Sequence, residues 1–189
     1  YISNIEMPGG IIRYVPLHPP KDGATKTSSA SEWTIDFEEL EGAMNSKTKM
    51  IVSIETKILR IFKLIVAGLE LTVSSLYLRR QIRSQLTYVN SHNPVGKVFS
   101  REELERIGEL CIKYNLIILS DEVYDRLFYV PYTRIATLSP ELYERTLTVG
   151  SAGKAFYATG WRVGYLIGPE HLIKYVAGAH TRICYSSVS

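Results

Sequence analysis

The sequence predicts an α/β fold built around a mainly parallel sheet. Short apolar segments typical of strands alternate along the 189 residues with segments in which apolar side chains recur at helical spacing. Residues 116–119 are apolar without alternation, as strands of parallel sheets are when both of their faces are covered. The composition, 46% hydrophobic and 22% charged, excludes a disordered chain and permits a buried core.

The N-terminal part is predicted to contain two strands and one helix. Residues 11–17 are expected to form a short strand, and residues 18–31, rich in Pro, Gly, Ser and Thr, a loop. Asp36 can cap a helix that has one apolar face. The residues of that face are Phe37, Leu40 and Met44. Residues 50–52 begin the next strand.

The C-terminal part continues with a helix, further strands and a last helix. Ser100 and Glu103 form a capping-box pattern, which predicts that a helix begins there. The apolar positions of this helix are Leu104, Ile107, Cys111 and Tyr114. Two further strands are predicted at residues 147–149 and 162–167, and Glu170 opens the last helix.

The net positive charge of the sequence comes from one segment. The formal net charge is +3, but residues 53–89 alone contribute +4 and the rest of the chain −1. This distribution does not indicate a nucleic-acid-binding surface. Charged residues also interrupt the long apolar stretch at 54–78, which excludes a transmembrane helix there. We therefore expect neither a nucleic acid nor a membrane as partner.

The use of cysteine favours a reducing compartment. Cys111 and Cys184 lie 73 residues apart, and neither these residues nor the four histidines show the spacing of a metal site. We therefore expect no metal and a cytoplasmic location. Because the sequence begins with Tyr1 rather than Met, a mitochondrial location stays open.

Three short polar segments follow predicted strands. They occupy residues 93–96 (Asn-Pro-Val-Gly), 120–124 (Ser-Asp-Glu-Val-Tyr) and 150–154 (Gly-Ser-Ala-Gly-Lys), and Thr-Gly-Trp-Arg follows at 159–162. Ligands of open α/β sheets bind at the carboxyl ends of the strands. These segments are therefore the candidates for a binding site.

Three side chains in these segments are chemically informative. Lys154 follows small residues, so its amine can be directed into a cleft for Schiff-base chemistry; the alternative is a surface lysine in a turn. Asp121 follows an apolar strand and needs a partner, for which a pyridinium nitrogen, a buried arginine and a helix N-terminus are candidates. Tyr124 can point to the same side as Asp121, or it is simply a half-buried tyrosine.

The segments taken together are more specific than any one of them. The order N-P-x-G, S-D-E-V-Y, S-x-G-K and G-W-R resembles the class I and II aminotransferases, which are pyridoxal-phosphate (PLP) enzymes of fold type I. The resemblance covers residues 1–52 and 90–189, and it is strongest to the kynurenine aminotransferase and cysteine-S-conjugate β-lyase branch, in its fungal members. It implies a three-layer sandwich that is a fragment of the PLP-binding large domain, truncated at both ends.

The resemblance implies roles for individual residues. Lys154 would form the Schiff base with PLP and then move the α-proton of the substrate. Asp121 would pair with the pyridine nitrogen and keep it protonated, so that the ring withdraws electrons. Asn93 and Tyr124 would hydrogen-bond the 3′ oxygen of the ring.

Two further residues, Ser151 and Arg162, would hold the cofactor phosphate by the same resemblance, the arginine through charge-assisted hydrogen bonds. The implied function is a transaminase that moves an amino group from an amino acid such as kynurenine to a 2-oxo acid, as a homodimer when intact. The alternative is an inactive, aminotransferase-like fragment, because the small domain that binds the substrate would lie beyond Ser189.

One segment departs from the family pattern. In the family the strand at 47–52 leads almost directly to Asn-Pro-x-Gly, whereas here residues 53–89 intervene. We therefore describe residues 1–189 as a partial large domain with an atypical insertion. The insertion is either helical or, as we favour, a translated retained intron, since the Val-Ser at 52–53 can be encoded by a usual intron start. With family parts missing at both ends, we expect the chain alone to bind PLP weakly and to transaminate poorly.

Overall fold

The structure is a computed structural model that describes residues 5–6, 8–23, 27–52, 84–86 and 95–184. The strands are β1 (Ile11–Arg13), β2 (Leu17–His18), β3 (Thr34–Ile35), β4 (Thr48–Val52), β5 (Ser84–Leu86), β6 (Ile117–Asp121), β7 (Thr146–Ser151) and β8 (Gly164–Ile167). The helices are α1 (Phe37–Gly42), α2 (Arg101–Lys113), α3 (Pro140–Tyr143), α4 (Ala152–Ala155) and α5 (Glu170–Cys184).

Six of the strands form one sheet, in the order β1-β5-β4-β6-β7-β8. The pairings from β1 to β7 are all parallel, and only β8 runs antiparallel, against β7. The remaining two strands, β2 and β3, form a separate antiparallel pair. The predicted α/β fold with a mainly parallel sheet is therefore confirmed. The parallel register brings the carboxyl ends of β6 and β7 to the same edge.

A cluster of buried apolar side chains joins three helices to β4 and β6. Its members are Leu40, Met44, Ile51, Phe99, Leu104, Ile107, Cys111, Leu116, Ile118, Ile135 and Leu142. The predicted apolar faces of α1 and α2 supply most of the helical members, as the 3.6-residue period requires. Lys113 and Tyr114, at the end of α2, add polar contacts to Glu41 of α1 at 2.6 and 3.0 Å.

The predicted helix starts are confirmed. Asp36 accepts hydrogen bonds from the backbone N–H groups of Glu38 and Glu39, which satisfies two donors of the first turn of α1. Ser100 and Glu103 form the reciprocal capping box at the start of α2. Helix α2 ends before Asn115, whose φ of 51° lies in the left-handed region.

Some predicted boundaries are wrong. The single strand expected over residues 11–17 is divided, because β1 joins the large sheet while β2 pairs with β3. The strand expected over 162–167 begins only at Gly164, since Arg162 has a φ of 58°. The loop expected over 18–31 ends in a short 3-10 helix at Ala30–Glu32.

Part of the predicted insertion lies in the sheet. Residues 84–86 form β5, which pairs on one side with β1 and on the other with β4. Residues 53–83 and 87–94 lie outside the described part of the chain. The division into a large-domain fragment and an atypical insertion therefore stays a prediction.

The last helix, α5, is less buried than α2. Its apolar positions Leu172, Ile173 and Val176 are half-buried rather than fully buried. Among the helices that the structure describes, none combines the length and the apolar character needed to cross a membrane.

Candidate active site

The candidate site lies where β6 and β7 end. Asp121 is the last residue of β6 and lies opposite Val149 of β7. Ser151 is the last residue of β7 and, at the same time, the N-cap of α4. Lys154 is the third residue of that short helix. The sheet therefore places residues from two of the predicted polar segments at one edge, as the strand order requires.

The contact that joins the two segments is between Lys154 and Tyr124. The Lys154 ammonium donates a hydrogen bond to the Tyr124 hydroxyl at 3.2 Å, and its nitrogen lies 5.0 Å from the centre of the tyrosine ring. Both side chains are half-buried. The backbone N–H of Lys154 also donates to the hydroxyl of Ser151 at 3.3 Å, which holds the first turn of α4. Tyr124, Ser151 and Lys154 are thus linked by hydrogen bonds.

Asp121 is buried, with 4% of its surface exposed. Its Oδ1 atom accepts a hydrogen bond from the backbone N–H of Val123 at 3.3 Å, which starts the turn that follows β6. The next residue is tied to the neighbouring strand, because the N–H of Glu122 donates to the carbonyl of Val149 at 2.8 Å. The carboxylate therefore sits on a well-supported strand end.

Arg162 lies beside α4 in space. The carbonyl of its neighbour Val163 accepts a hydrogen bond from the N–H of Gly153 at 3.4 Å. The Arg162 guanidinium is exposed and donates to the carbonyl of Thr159 at 2.8 Å. This bond uses one of the five N–H donors of the group, so the side chain retains donors for an anion.

Gly150, at the start of the lysine loop, packs closely against the neighbouring strand. A Cβ atom on Gly150 would lie 2.1 Å from the ring of Tyr165, which stands opposite it in the β7–β8 pair. Glycine at this position is thus required by packing within the protein.

Asn93, the remaining predicted site residue, lies outside the described residues. The segment after it is attached to the start of α2. Lys97 is buried, its ammonium lies 3.0 Å from Glu103 of the capping box, and it stands 5.4 Å from the centre of the Phe99 ring. Lys97 and Phe99 thus anchor the segment that precedes α2.

The sequence did not indicate a charged network that adjoins the site. Arg134 donates to Glu122 at 3.0 Å and to Asp125 at 2.6 Å, and Ser120 donates to Glu122 at 3.0 Å. Glu122 is 1% and Asp125 7% exposed. Two acidic residues soon after a buried strand, Glu122 and Asp125, indicate that a cation must lie near them. Nothing in the spacing identified Arg134 as that cation.

The charges of this network shift one another. Burial raises the pKa of the Glu122 carboxyl, although the charge of Arg134 and the hydrogen bond from Ser120 oppose that shift. Burial alone would lower the pKa of the Arg134 guanidinium, but its bonds with Asp125 and Glu122 outweigh this and raise it. Burial, followed by the charge of Glu122, raises the pKa of the Tyr132 hydroxyl.

A separate group of potential metal ligands lies on the surface. His18, Asp36 and Glu39 place one ligand atom each within 4.8 Å of one another, and all three are exposed. Asp36 already caps α1, and the Nε2 atom of His18 lies 2.8 Å from the carboxylate of Glu39. These contacts account for the cluster without an ion.

The sequence model for "Aminotransferase class I and II" matches residues 61–189. The chain belongs to this family. The family resemblance inferred from the motifs is thereby confirmed. Members of the family are PLP enzymes, so the expected cofactor agrees with the assignment.

Individual relatives give the same assignment. The probable kynurenine–oxoglutarate transaminase BNA3 of Saccharomyces cerevisiae is 45% identical over 192 residues, which cover 100% of this chain and 35% of that protein. Kynurenine–oxoglutarate transaminase 3 of Homo sapiens is 38% identical over 189 residues, which cover 98% of this chain and 33% of that protein. The chain thus spans about a third of the length of these relatives.

A solved structure supports the fold. The crystal structure of Bna3p from Saccharomyces cerevisiae superposes with a TM-score of 0.76 and 44% sequence identity, covering 99% of this chain and 36% of that one. The chain therefore has the fold of a class I and II aminotransferase over the part that it spans.

The side chains at the strand ends fit PLP. A primary amine, Lys154, is paired with a phenol, Tyr124, and a buried carboxylate, Asp121, ends the adjacent strand. A hydroxyl and a guanidinium, of Ser151 and Arg162, stand in the same short stretch. Amine, carboxylate and anion-binding donors are the groups that an aldehyde, a pyridinium nitrogen and a phosphate require.

Proposed function

We propose that the chain is part of a PLP-dependent transaminase that moves an amino group from an amino acid such as kynurenine to a 2-oxo acid. The observation that carries this proposal is the 3.2 Å hydrogen bond from Lys154 to Tyr124 at the carboxyl ends of β6 and β7. The names of the relatives, which are kynurenine–oxoglutarate transaminases, support the choice of substrates.

Lys154 would be the residue that moves a proton. Its ammonium is held by the Tyr124 hydroxyl on one side, and its backbone is fixed by Ser151 on the other. A half-buried amine held in this way can both take and return a proton at its Nζ atom without reorganising water. When bound, PLP supplies an aldehyde for a primary amine and an electron-withdrawing ring.

Asp121 would hold the ring nitrogen of the cofactor in its protonated form. A carboxylate that is 4% exposed is strongly stabilised by a cation, because burial removes most of its water. Ser151 and Arg162 would hold the phosphate through a hydroxyl and a guanidinium donor. Asn93 would join Tyr124 at the 3′ oxygen of the ring, as the family resemblance predicts.

The first experiment tests the cofactor site. Added PLP is expected to give the purified protein a new absorbance band that borohydride reduction fixes to a peptide containing Lys154. Lys154→Ala should lose the band. The matched control, Lys174→Ala, replaces an exposed lysine of α5 and should keep it. An equal band in both variants would overturn the role of Lys154.

The second experiment tests the reaction. The PLP-loaded protein is incubated with kynurenine and 2-oxoglutarate, and the glutamate formed is measured. Glutamate that requires both Lys154 and kynurenine supports the transaminase. If the PLP band depends on Lys154 but no glutamate forms, the cofactor site is supported and the transaminase activity is overturned. This is the outcome expected of an inactive aminotransferase-like fragment.

Assembly and location complete the proposal. We predict a homodimer for the intact protein and a cytoplasmic location, with a mitochondrial location as the alternative, and amino acids and 2-oxo acids as the small-molecule partners. Light scattering of the intact protein tests the first prediction, and cell fractionation tests the second. A monomeric intact protein at micromolar concentration would contradict the homodimer, and recovery with mitochondria would favour the alternative location.

A further inference from the structure

The turn that carries Tyr124 is closed twice, once by its backbone and once by side chains. The N–H of Asp125 donates to the carbonyl of Glu122 at 3.0 Å, and the N–H of Leu127 donates to that of Tyr124 at 2.9 Å. Arg134, from the chain that follows, then joins the side chains of Glu122 and Asp125. Tyr124 lies between the two residues that this arginine connects.

We propose that Arg134 is a positioning residue that holds the Tyr124 hydroxyl beside Lys154. We call Arg134 with Glu122 and Asp125 the Arg134 clamp. The inference rests on the proposed function, because it concerns the same site. The clamp itself includes neither Tyr124 nor Lys154, the two residues whose hydrogen bond it is proposed to support. Arg134 contacts neither the Lys154 amine nor any reacting atom that the proposal names.

The charges explain why the clamp requires a cation. The side chains of Glu122 and Asp125 are 1% and 6% exposed, and each accepts one bond from the Arg134 guanidinium, which is 37% exposed. Without the arginine, two buried carboxylates within the same turn would lack their shared cation. The turn could relieve this cost by opening towards water or by protonating Glu122. Either change would alter the support of Tyr124.

The backbone tie to β7 determines which part of the turn can move. Glu122 is held by its N–H bond to Val149 of β7. Within the part of the chain that the structure describes, the backbone bond of Asp125 stays inside the turn. Loss of Arg134 should therefore displace the Asp125 side of the turn, together with Tyr124, relative to Lys154. Small displacements of a positioned group have large chemical effects.

The chain supplies a matched control next to the clamp. Arg126 lies 3.9 Å from the same carboxylate oxygen of Asp125, but its side chain is 73% exposed. Exposed ion pairs of this kind contribute little. Arg126→Gln therefore removes the same charge near the same carboxylate while leaving the Arg134 clamp intact.

The experiment compares Arg134→Gln, Arg134→Lys and Arg126→Gln. In the cofactor-free protein, amide hydrogen exchange over residues 121–127 is expected to rise about tenfold or more in Arg134→Gln and to stay at the wild-type level in Arg126→Gln. The dissociation constant of PLP should rise about tenfold in Arg134→Gln, the size expected for loss of one well-placed hydrogen bond. Arg134→Lys keeps the positive charge but not the planar guanidinium that reaches both carboxylates. Its amide exchange and its PLP dissociation constant should therefore lie between those of wild type and Arg134→Gln.

Two outcomes would overturn the proposal. The first is amide hydrogen exchange over residues 121–127 that stays at the wild-type level in folded Arg134→Gln. The second is increased exchange in a variant whose PLP dissociation constant does not change and whose bound PLP keeps the wild-type pH midpoint of its absorbance. If Arg134→Gln does not fold, Asp125→Asn replaces it, because it removes one arm of the clamp and should give smaller changes in the same direction. If the wild-type protein binds no PLP, the proposed function fails, while the exchange data still decide whether Arg134 holds the turn.

Discussion

The two ends of β6 are surrounded by opposite kinds of buried side chain. At its start, Leu116 and Ile118 are fully buried against the apolar face of α2. At its carboxyl end, Asp121 and Glu122 are equally inaccessible, yet both are acidic. Apolar burial is favourable in any orientation, whereas a buried carboxylate requires a partner at a definite position. The first end therefore supplies stability, and the second supplies a site whose geometry is specified by charge.

The largest effect is expected near the start of β6, where the strand packs against α2 and where we infer that most of the stability arises. Leu104→Ala removes a side chain that is 0% exposed. The free energy of unfolding should fall by about 2–5 kcal/mol, since both apolar burial and packing are lost. Urea denaturation measures the loss, and PLP affinity of the folded molecules should not change.

The control for Leu104→Ala lies on the less buried helix. Leu172→Ala on α5 removes a half-buried leucine and should cost distinctly less. Equal losses for the two variants would contradict the contrast in burial between α2 and α5.

A smaller effect is expected from adding atoms rather than removing them. In Gly108→Ala the new Cβ would lie 2.7 Å from Cδ1 of Leu142, which is buried. The free energy of unfolding should fall by about 1–3 kcal/mol, because the core must shift. Gly178→Ala, where nothing lies within 4 Å, should instead stabilise α5 by roughly 0.5–1 kcal/mol. Urea denaturation of the two variants measures these opposite changes in stability. A higher free energy of unfolding for Gly108→Ala would show that the core around Leu142 is loosely packed.

The acidic residues at the carboxyl end of β6 should make the free energy of unfolding depend on pH. Burial raises the pKa of Glu122 in the folded state above its ordinary value of 4.5, so folding favours the protonated form. The contribution of Glu122 is then most favourable at low pH and declines as the pH rises through 4.5 towards the raised pKa. In Glu122→Gln this decline is absent, so the unfolding free energy of the variant minus that of wild type should increase with pH. A difference that falls over this interval would contradict the assigned direction.

The thiol of Cys111, which is buried in the core, is expected to be unreactive. Burial raises the pKa of Cys111 to about 12, and the thiolate is the reactive form. In a Cys184→Ser variant, in which Cys111 is the remaining cysteine, a disulfide reagent at pH 8 should react about a thousandfold more slowly than with the urea-unfolded chain. Rapid labelling of the folded protein would show that α2 opens readily.

Much of the fold was predictable because it depends on neighbours along the chain. The caps at Asp36 and Ser100 involve residues two or three positions away, and both were predicted correctly. The boundary at Gly164 was missed, because the left-handed backbone at Arg162 leaves no mark in the hydrophobic pattern. The division of residues 11–17 between β1 and β2 was missed as well, since it depends on pairing with distant strands.

The candidate site shows the same limit. Lys154 and Tyr124 were each identified from a motif, but their contact was not predicted, because it depends on how β6 and β7 pair. Arg134 was not identified, because a lone arginine in a loop has no period and no motif. Gly150 was identified only as a small residue, and its packing against Tyr165 was not predicted, since Tyr165 comes from another strand.

The sequence by itself determined the alternation of helices and strands, the helix caps and the family, because these depend on local spacing and on residues within short motifs. The tertiary structure alone decided which charges meet. The pairing of Arg134 with Glu122 and Asp125 depends on the path of the chain after β6, and the contact between Lys154 and Tyr124 depends on the register of β6 and β7. A buried charge is stable only where its partner arrives, and that is a property of the folded chain rather than of the sequence on either side of it.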